Sequence, residues 1–198
     1  MWENCGDFRR LYPEIRDKTL VPADKCFMIY QFARIAGRKE GAFAEVGVYK
    51  GGTARLVARA CPDKPIHLFD TFAGMPAADG LIDFHKKGDF SDTSLASVQS
   101  FLLDCPNACF HPGFFPDTAA AVSEEFFSFV YVDTDIYQSV KDCLDFFYPR
   151  MVTGGIMVFD DYEWPYCQGV EKAIHNFFAD KKEIPVITAR YQCAIFKY

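Results

Sequence analysis

The chain of 198 residues has no apolar run long enough to cross a membrane, and residues 1 to 20 carry charges throughout without an apolar core segment. A signal peptide and a transmembrane helix are therefore excluded from the reading, and the expected location is cytoplasmic. Basic residues are the minority, with 21 Lys and Arg against 27 Asp and Glu and a formal net charge of -6. No long basic run occurs, which argues against a nucleic-acid partner, since that affinity rests on clustered Lys and Arg. Cysteine is plentiful at 8, but no Cys-x-x-Cys pair exists. Cys105, Cys109 and His111 lack a fourth zinc ligand, so reduced and mostly buried thiols are expected. Also missing are G-x-G-x-x-G, the P-loop pattern, internal repeats and low-complexity segments.

Half of the residues are hydrophobic, enough for one domain spanning 1–198, with 1–41 as its helical N-terminal segment. Helical spacing runs from Asp24 to Ala36: Cys26, Ile29, Ala33 and Ala36 share a side, widened by Met28, Phe32 and Ile35, with Gln31 and Arg34 opposite. Strands are expected at Ala42–Val48, Ile66–Phe69, Ala108–His111, Phe126–Asp133 and Gly155–Phe159. Helices are expected at Thr53–Ala60, Leu95–Leu103, Val140–Tyr148 and Gly169–Phe178. Two closing β runs, Val186–Ala189 and Gln192–Phe196, read as an antiparallel hairpin at one edge. This alternation predicts an α/β fold with a mostly parallel, seven-stranded, doubly wound sheet. Gly74–Asp92, rich in Gly, Pro and Asp, reads as a long functional loop.

Two apolar runs each end in paired carboxylates: Phe129-Val130-Tyr131-Val132 before Asp133 and Asp135, and Ile156-Met157-Val158-Phe159 before Asp160 and Asp161. In open α/β sheets ligands sit beyond the carboxyl ends of such strands. Four acids at one mouth would repel one another unless a cation lay among them, and hard oxygen donors suggest Mg²⁺. The plainer alternatives are loop acids at Asp133 and Asp135 and a helix cap at Asp160 and Asp161. Glu45-Val46-Gly47-Val48-Tyr49-Lys50-Gly51-Gly52-Thr53 forms the first strand-to-helix turn, where glycines admit a ligand to the backbone and to a helix N-terminus. A nucleotide-like ligand fits there, a plain tight turn being the alternative. Asp70, after the second strand, is placed to accept ribose hydroxyls, or else only shapes a loop. His85 could approach a substrate from the long loop, although a solvated histidine is the simpler reading. Phe84, Phe90, Trp164 and Tyr166 either line an acceptor pocket or cover the core.

The chain resembles the macrocin-type O-methyltransferases that depend on S-adenosylmethionine. The resemblance is carried in order by Glu45 to Thr53, by Phe69-Asp70-Thr71-Phe72-Ala73-Gly74-Met75-Pro76, by Lys87 to Thr93, by Gly113 to Thr118, by Asp133-Thr134-Asp135-Ile136-Tyr137 and by Gly154 to Tyr162. It implies a class I methyltransferase fold of the Rossmann-like type. It also implies that Glu45, Gly47, Tyr49, Gly51 and Thr53 surround the methionine part of S-adenosylmethionine. Asp70, Thr71 and Phe72 would meet the ribose and adenine, Gly113 and Phe114 would border the adenine, and Asp133 would lie close to the cofactor. By the same resemblance Asp133, Asp160 and Asp161 bind Mg²⁺ and Asp135 is the general base. The chain is shorter than typical members before the first strand.

The chemistry agrees: a metal ion lowers the pKa of an acceptor hydroxyl and positions it, and a nearby carboxylate removes the proton. The expectation is Mg²⁺-dependent O-methylation of a small hydroxylated acceptor, for example a sugar of a secondary metabolite, with neither nucleic acid nor membrane as partner and a homo-oligomer left open. The rival readings are a nicotinamide-dependent oxidoreductase, disfavoured by the missing G-x-G-x-x-G, and a non-catalytic S-adenosylmethionine-binding protein.

Overall fold

A computed structural model describes residues 5–76 and 83–198. Its seven strands form one sheet in the order β3-β2-β1-β4-β5-β7-β6, with β1 at Ala42–Val46, β2 at Ile66–Asp70, β3 at Ala108–Pro112, β4 at Phe127–Val132, β5 at Met151–Asp160, β6 at Val186–Ala189 and β7 at Gln192–Phe196. β1 to β5 pair in parallel, while β7 runs antiparallel to both β5 and β6. The expected α/β class and antiparallel edge are both present.

The helices are α1 at Gly6–Ile15, α2 at Ala23–Ala36, α3 at Gly52–Ala60, α4 at Leu95–Phe101, α5 at Tyr137–Phe147 and α6 at Gln168–Phe178. Side chains alternate across the sheet, so Phe129 and Tyr131 of β4 join the core beneath α1, α2 and α3, whereas Val130 and Val132 join the one beneath α5 and α6. Burial on both faces explains why β4 reads as a continuous apolar run. None of the helices among the described residues is long and apolar enough to cross a membrane.

Several boundaries differ from those expected. β1 ends at Val46 and not Val48, because Gly47 takes φ +90° and leaves the ladder. β5 starts at Met151, four residues before the expected Gly155; its pairing with β4 jumps from Phe127↔Met151 to Phe129↔Ile156, so the Gly154–Gly155 pair marks a bulge inside one strand. Ile35 is half exposed, outside the predicted buried face. α1 falls in the segment expected to be helical, and it buries Phe8, Leu11 and Ile15 while Glu14 reaches Arg55 of α3.

Strand order reverses between β1 and β4, which opens a crevice beyond their carboxyl ends. The strand ends are pinned there: Asp133 N–H, just after β4, donates to Val46 O of β1 at 2.9 Å, and Gly47 N–H, just after β1, donates to Phe69 O of β2 at 3.0 Å. A Cβ on Gly47 would stand 1.8 Å from the carbonyl oxygen of Asp133. Gly47→Ala therefore forces apart the strand ends that carry the site, and a loss of about 3 kcal/mol or more is expected. Urea unfolding measures it; an unchanged midpoint would show that the crossing tolerates a side chain.

Candidate active site

A cavity of about 700 Å³ fills the crevice, and it is lined by Gly47, Tyr49, Thr53, Asp70, Gly113, Phe114 and the acids 133, 135, 160 and 161, among others. That volume suits a ligand of nucleoside size together with a second small molecule.

One side is the glycine turn. Asp70 reaches back from the end of β2 and accepts three backbone N–H groups: Val48 at 2.7 Å and Tyr49 at 2.8 Å on Oδ2, and Phe72 at 2.7 Å on Oδ1. This carboxylate holds the turn in shape, and its remaining lone pairs are what it can offer a hydroxyl. Thr71 spends its hydroxyl on Gly74 O at 2.7 Å. Phe72, expected beside Asp70 and Thr71 near the ribose and adenine, is buried in the core near Phe110 and does not line the cavity, whereas Met75 and Phe114 do. Gly51, at φ +83°, caps α3 without lining the cavity. The long loop is tied to this side, with Tyr49 Oη donating to Asp92 at 2.8 Å and Thr93 Oγ1 donating to Tyr49 O at 2.5 Å.

Glu45 lies behind Thr53 with no exposure at all. Thr53 Oγ1 donates to its Oε1 at 2.6 Å, while Oε2 has no hydrogen-bond partner. Burial pushes its carboxyl up to about 8, so it is mostly protonated at neutral pH.

On the other side stand the acids. Val132 and Phe159 are paired across β4 and β5, so Asp133 and Asp160 follow at the same level, and Asp135 and Asp161 take left-handed backbone at φ 60° and 59°. Tyr131 Oη donates to Asp133 Oδ2 at 3.1 Å. Asp160 is engaged on both oxygens, by Gln192 Nε2 at 3.1 Å and by Lys25 Nζ at 3.1 Å, and Lys25 also lies 3.7 Å from Asp161 Oδ1. Burial raises the carboxyls of Asp133, Asp135, Asp160 and Asp161, and neighbouring carboxylates push Asp133, Asp135 and Asp161 further. Asp133, Asp135 and Asp161 each offer an oxygen within 4.8 Å of the others. Among the described residues the one ammonium paired with these four acids, two buried and two partly exposed, leaves the cluster short of positive charge, and such a donor set fits a hard divalent cation.

A family model described as macrocin-O-methyltransferase (TylF) matches residues 33–197. This chain belongs to the TylF family. Mycinamicin III 3''-O-methyltransferase of Micromonospora griseorubida is 33% identical over 156 residues, 69% of this chain and 60% of that protein. The 8-demethyl-8-(2,3-dimethoxy-alpha-L-rhamnosyl)-tetracenomycin-C 4'-O-methyltransferase of Streptomyces olivaceus is 30% identical over 154 residues, 69% of this chain and 58% of that protein. These matches span about six-tenths of the length of each curated relative. Among solved structures the O-methyltransferase NovP superposes with a TM-score of 0.78 at 24% identity, covering 91% of this chain and 82% of that one, a likeness of fold.

One site residue, Lys25, escapes the sequence reading of this TylF-family chain, and a second, His85, is read there more simply as a solvated histidine. Lys25 precedes the matched segment and interrupts an apolar helix; the usable signal was a lysine in the first turn of α2, where the helix dipole disfavours a cation. His85 proves to be only 17% exposed on its side chain, with Nε2 3.8 Å from Asp135 Oδ1. Of the aromatics considered for the mouth, Phe90 and Trp164 line the cavity, while Phe84 and Tyr166 pack on each other outside it at 5.1 Å.

The raised carboxyl of Glu45 has a measurable consequence. In the unfolded chain it ionises near 4.5, and in the fold only near 8, so its stabilising share is complete below the first value and is lost as pH rises to the second. Glu45→Gln removes that dependence, and its stability should fall less steeply across this interval, the two curves diverging by a few kcal/mol in urea unfolding at stepped pH. Parallel profiles would mean that Glu45 is already charged in the fold.

Proposed function

We propose that this chain transfers the methyl group of S-adenosylmethionine to a hydroxyl of a small molecule, a sugar attached to a secondary metabolite, with Mg²⁺ at the carboxylate cluster. The observation that carries the reading is that the glycine turn and the cation-poor acids open into one cavity. Family membership supports the donor, and the relative whose name includes a rhamnosyl group supports a sugar acceptor.

In this reading Gly47, Tyr49 and Thr53 receive the methionine part of the donor, with Glu45 and Gly51 shaping the turn behind them. Asp70 fixes the turn and offers its free lone pair to a ribose hydroxyl. Gly113, Phe114, Thr71 and the backbone beside Phe72 border the base. Asp133, Asp160 and Asp161 would hold Mg²⁺, with Lys25 beside Asp160 and Asp161. A hard cation there acidifies and orients a hydroxyl. Asp135, raised by burial and by Asp133, accepts the proton of the acceptor hydroxyl as the oxygen forms its bond to the methyl carbon and the carbon-sulfur bond breaks, leaving a neutral thioether. Trp164 and Phe90 close the cavity around the acceptor.

Methyl transfer to a panel of glycosylated acceptors, with calorimetry for the donor product S-adenosylhomocysteine, tests this. Asp135→Asn should lower kcat by about 10²- to 10⁴-fold while S-adenosylhomocysteine affinity stays within about twofold. Asp161→Asn should weaken Mg²⁺ by an order of magnitude or more. Full turnover in excess chelator would remove the metal from the mechanism, and full turnover by Asp135→Asn would remove the base.

A further inference from the structure

We infer that His85, Asp135 and Cys167 form a second metal site, selective for a borderline-soft divalent cation such as Zn²⁺, whose occupation ties up the Asp135 carboxylate. The three residues come from separate places: the long loop, the turn after β4 and the residue that precedes α6. Their ligand atoms all lie within 4.8 Å of one another, with His85 Nε2 and Cys167 Sγ each 3.8 Å from Asp135 Oδ1. Tetrahedral zinc, with bonds of about 2.0 Å to nitrogen and oxygen and about 2.3 Å to sulfur, asks for separations of about 3.3 to 3.7 Å. The two contacts with Asp135 need to shorten by about 0.3 to 0.5 Å, and the His85 and Cys167 ligand atoms, within 4.8 Å of each other, need to draw together as well.

The surroundings orient the ligands as well. His85 Nδ1 lies 3.3 Å from Asp89 Oδ2, which also accepts the N–H of Lys86 at 2.9 Å. Donation of the Nδ1 proton to that carboxylate leaves the Nε2 lone pair facing Asp135, the arrangement by which an acidic partner fixes a metal-binding imidazole. Asp83 accepts the N–H of Tyr137 at 3.0 Å, and Met75 N–H donates to Asp89 O at 2.7 Å, so the loop is anchored on both sides of His85. Cys167 is fully buried, against Asp135.

An imidazole, a thiolate and one carboxylate make a donor set that Mg²⁺ does not seek and Zn²⁺ does. On binding, the Cys167 S–H bond breaks, its proton passes to buffer and a metal-sulfur bond forms. His85 and Asp135 both line the cavity, so the fourth position faces the acceptor side. That Zn²⁺ then blocks methyl transfer rests on the reading of Asp135 as base; the site itself does not.

Calorimetry of the metal-free full chain with Zn²⁺, in millimolar Mg²⁺ and without donor or acceptor, is the first measurement, and absorption of the Co²⁺-loaded chain is the second. One equivalent of Zn²⁺ should bind, and Co²⁺ should show a near-ultraviolet thiolate charge-transfer band with intense tetrahedral d-d absorption. Cys167→Ala should abolish the band, and this variant, His85→Gln and Asp89→Asn should each weaken Zn²⁺ about 10- to 100-fold. A Co²⁺ spectrum of the wild-type chain without a thiolate band, or unchanged Zn²⁺ affinity in Cys167→Ala, overturns the site. Binding as described with undiminished methyl transfer leaves the site standing and overturns the role of Asp135.

Discussion

The buried ammonium of Lys25, wedged between Asp160 and Asp161, is the contact on which the rest of the site depends. It couples four elements. α2 supplies the cation, β5 the two acids and β7 the Gln192 amide that occupies the other oxygen of Asp160, while β4 brings Asp133 alongside with Tyr131 as its donor. Removing one partner of a buried ion pair typically costs about 3–5 kcal/mol, because the other charge is left uncompensated. Helix α2 is thus held against the carboxyl ends of the strands by charge as well as by the apolar packing of Ile29 and Ala33.

A second constraint is the crossing of Gly47 and Asp133 at the reversal of strand order. The carbonyl of Asp133 occupies the space that a side chain on Gly47 would need, and this close approach is what lets the glycine turn and the acids at the strand ends share one cavity. Asp70 completes the arrangement. By gathering the N–H groups of Val48, Tyr49 and Phe72 it stabilises a turn in which Tyr49 and Phe72 hold left-handed backbone at φ 52° and 51°, conformations that non-glycine residues adopt at a cost.

The fold was legible wherever hydrophobic pattern and covalent position coincide. Buried parallel strands must be apolar on both faces, so β4 and the second half of β5 declared themselves, and the acids that follow them fell at the mouth by the geometry of the strand alone. What pattern cannot convey is where a long side chain ends. Lys25 belongs to a helix face that reads as apolar, and its partners lie more than a hundred residues away. Phe72 follows Asp70 in a motif associated with adenine, but a left-handed residue at that point sends its ring into the core. His85 sits in a loop whose composition gives no hint of its anchors, which are Asp83 on the N–H of Tyr137 and Asp89 on its own Nδ1.

The reach of Lys25 also sorts the acids by what they can do. Asp160 is engaged on both oxygens, by Gln192 and Lys25, and Asp133 accepts from the Tyr131 hydroxyl, so both have partners that a cation would have to share. Asp135 and Asp161 instead offer oxygens within 4.8 Å of each other, and burial together with neighbouring carboxylates raises both, so the pair favours keeping a proton over carrying two charges without a cation. Proton and metal therefore compete for the same two side chains. With a divalent ion held beside Asp161, the charged forms of both carboxyls would be favoured, and Asp135 would stand ionised with a proton affinity still raised by burial. In the proposed chemistry such a base would become available once the metal is bound, linking its two halves through a single carboxyl pair.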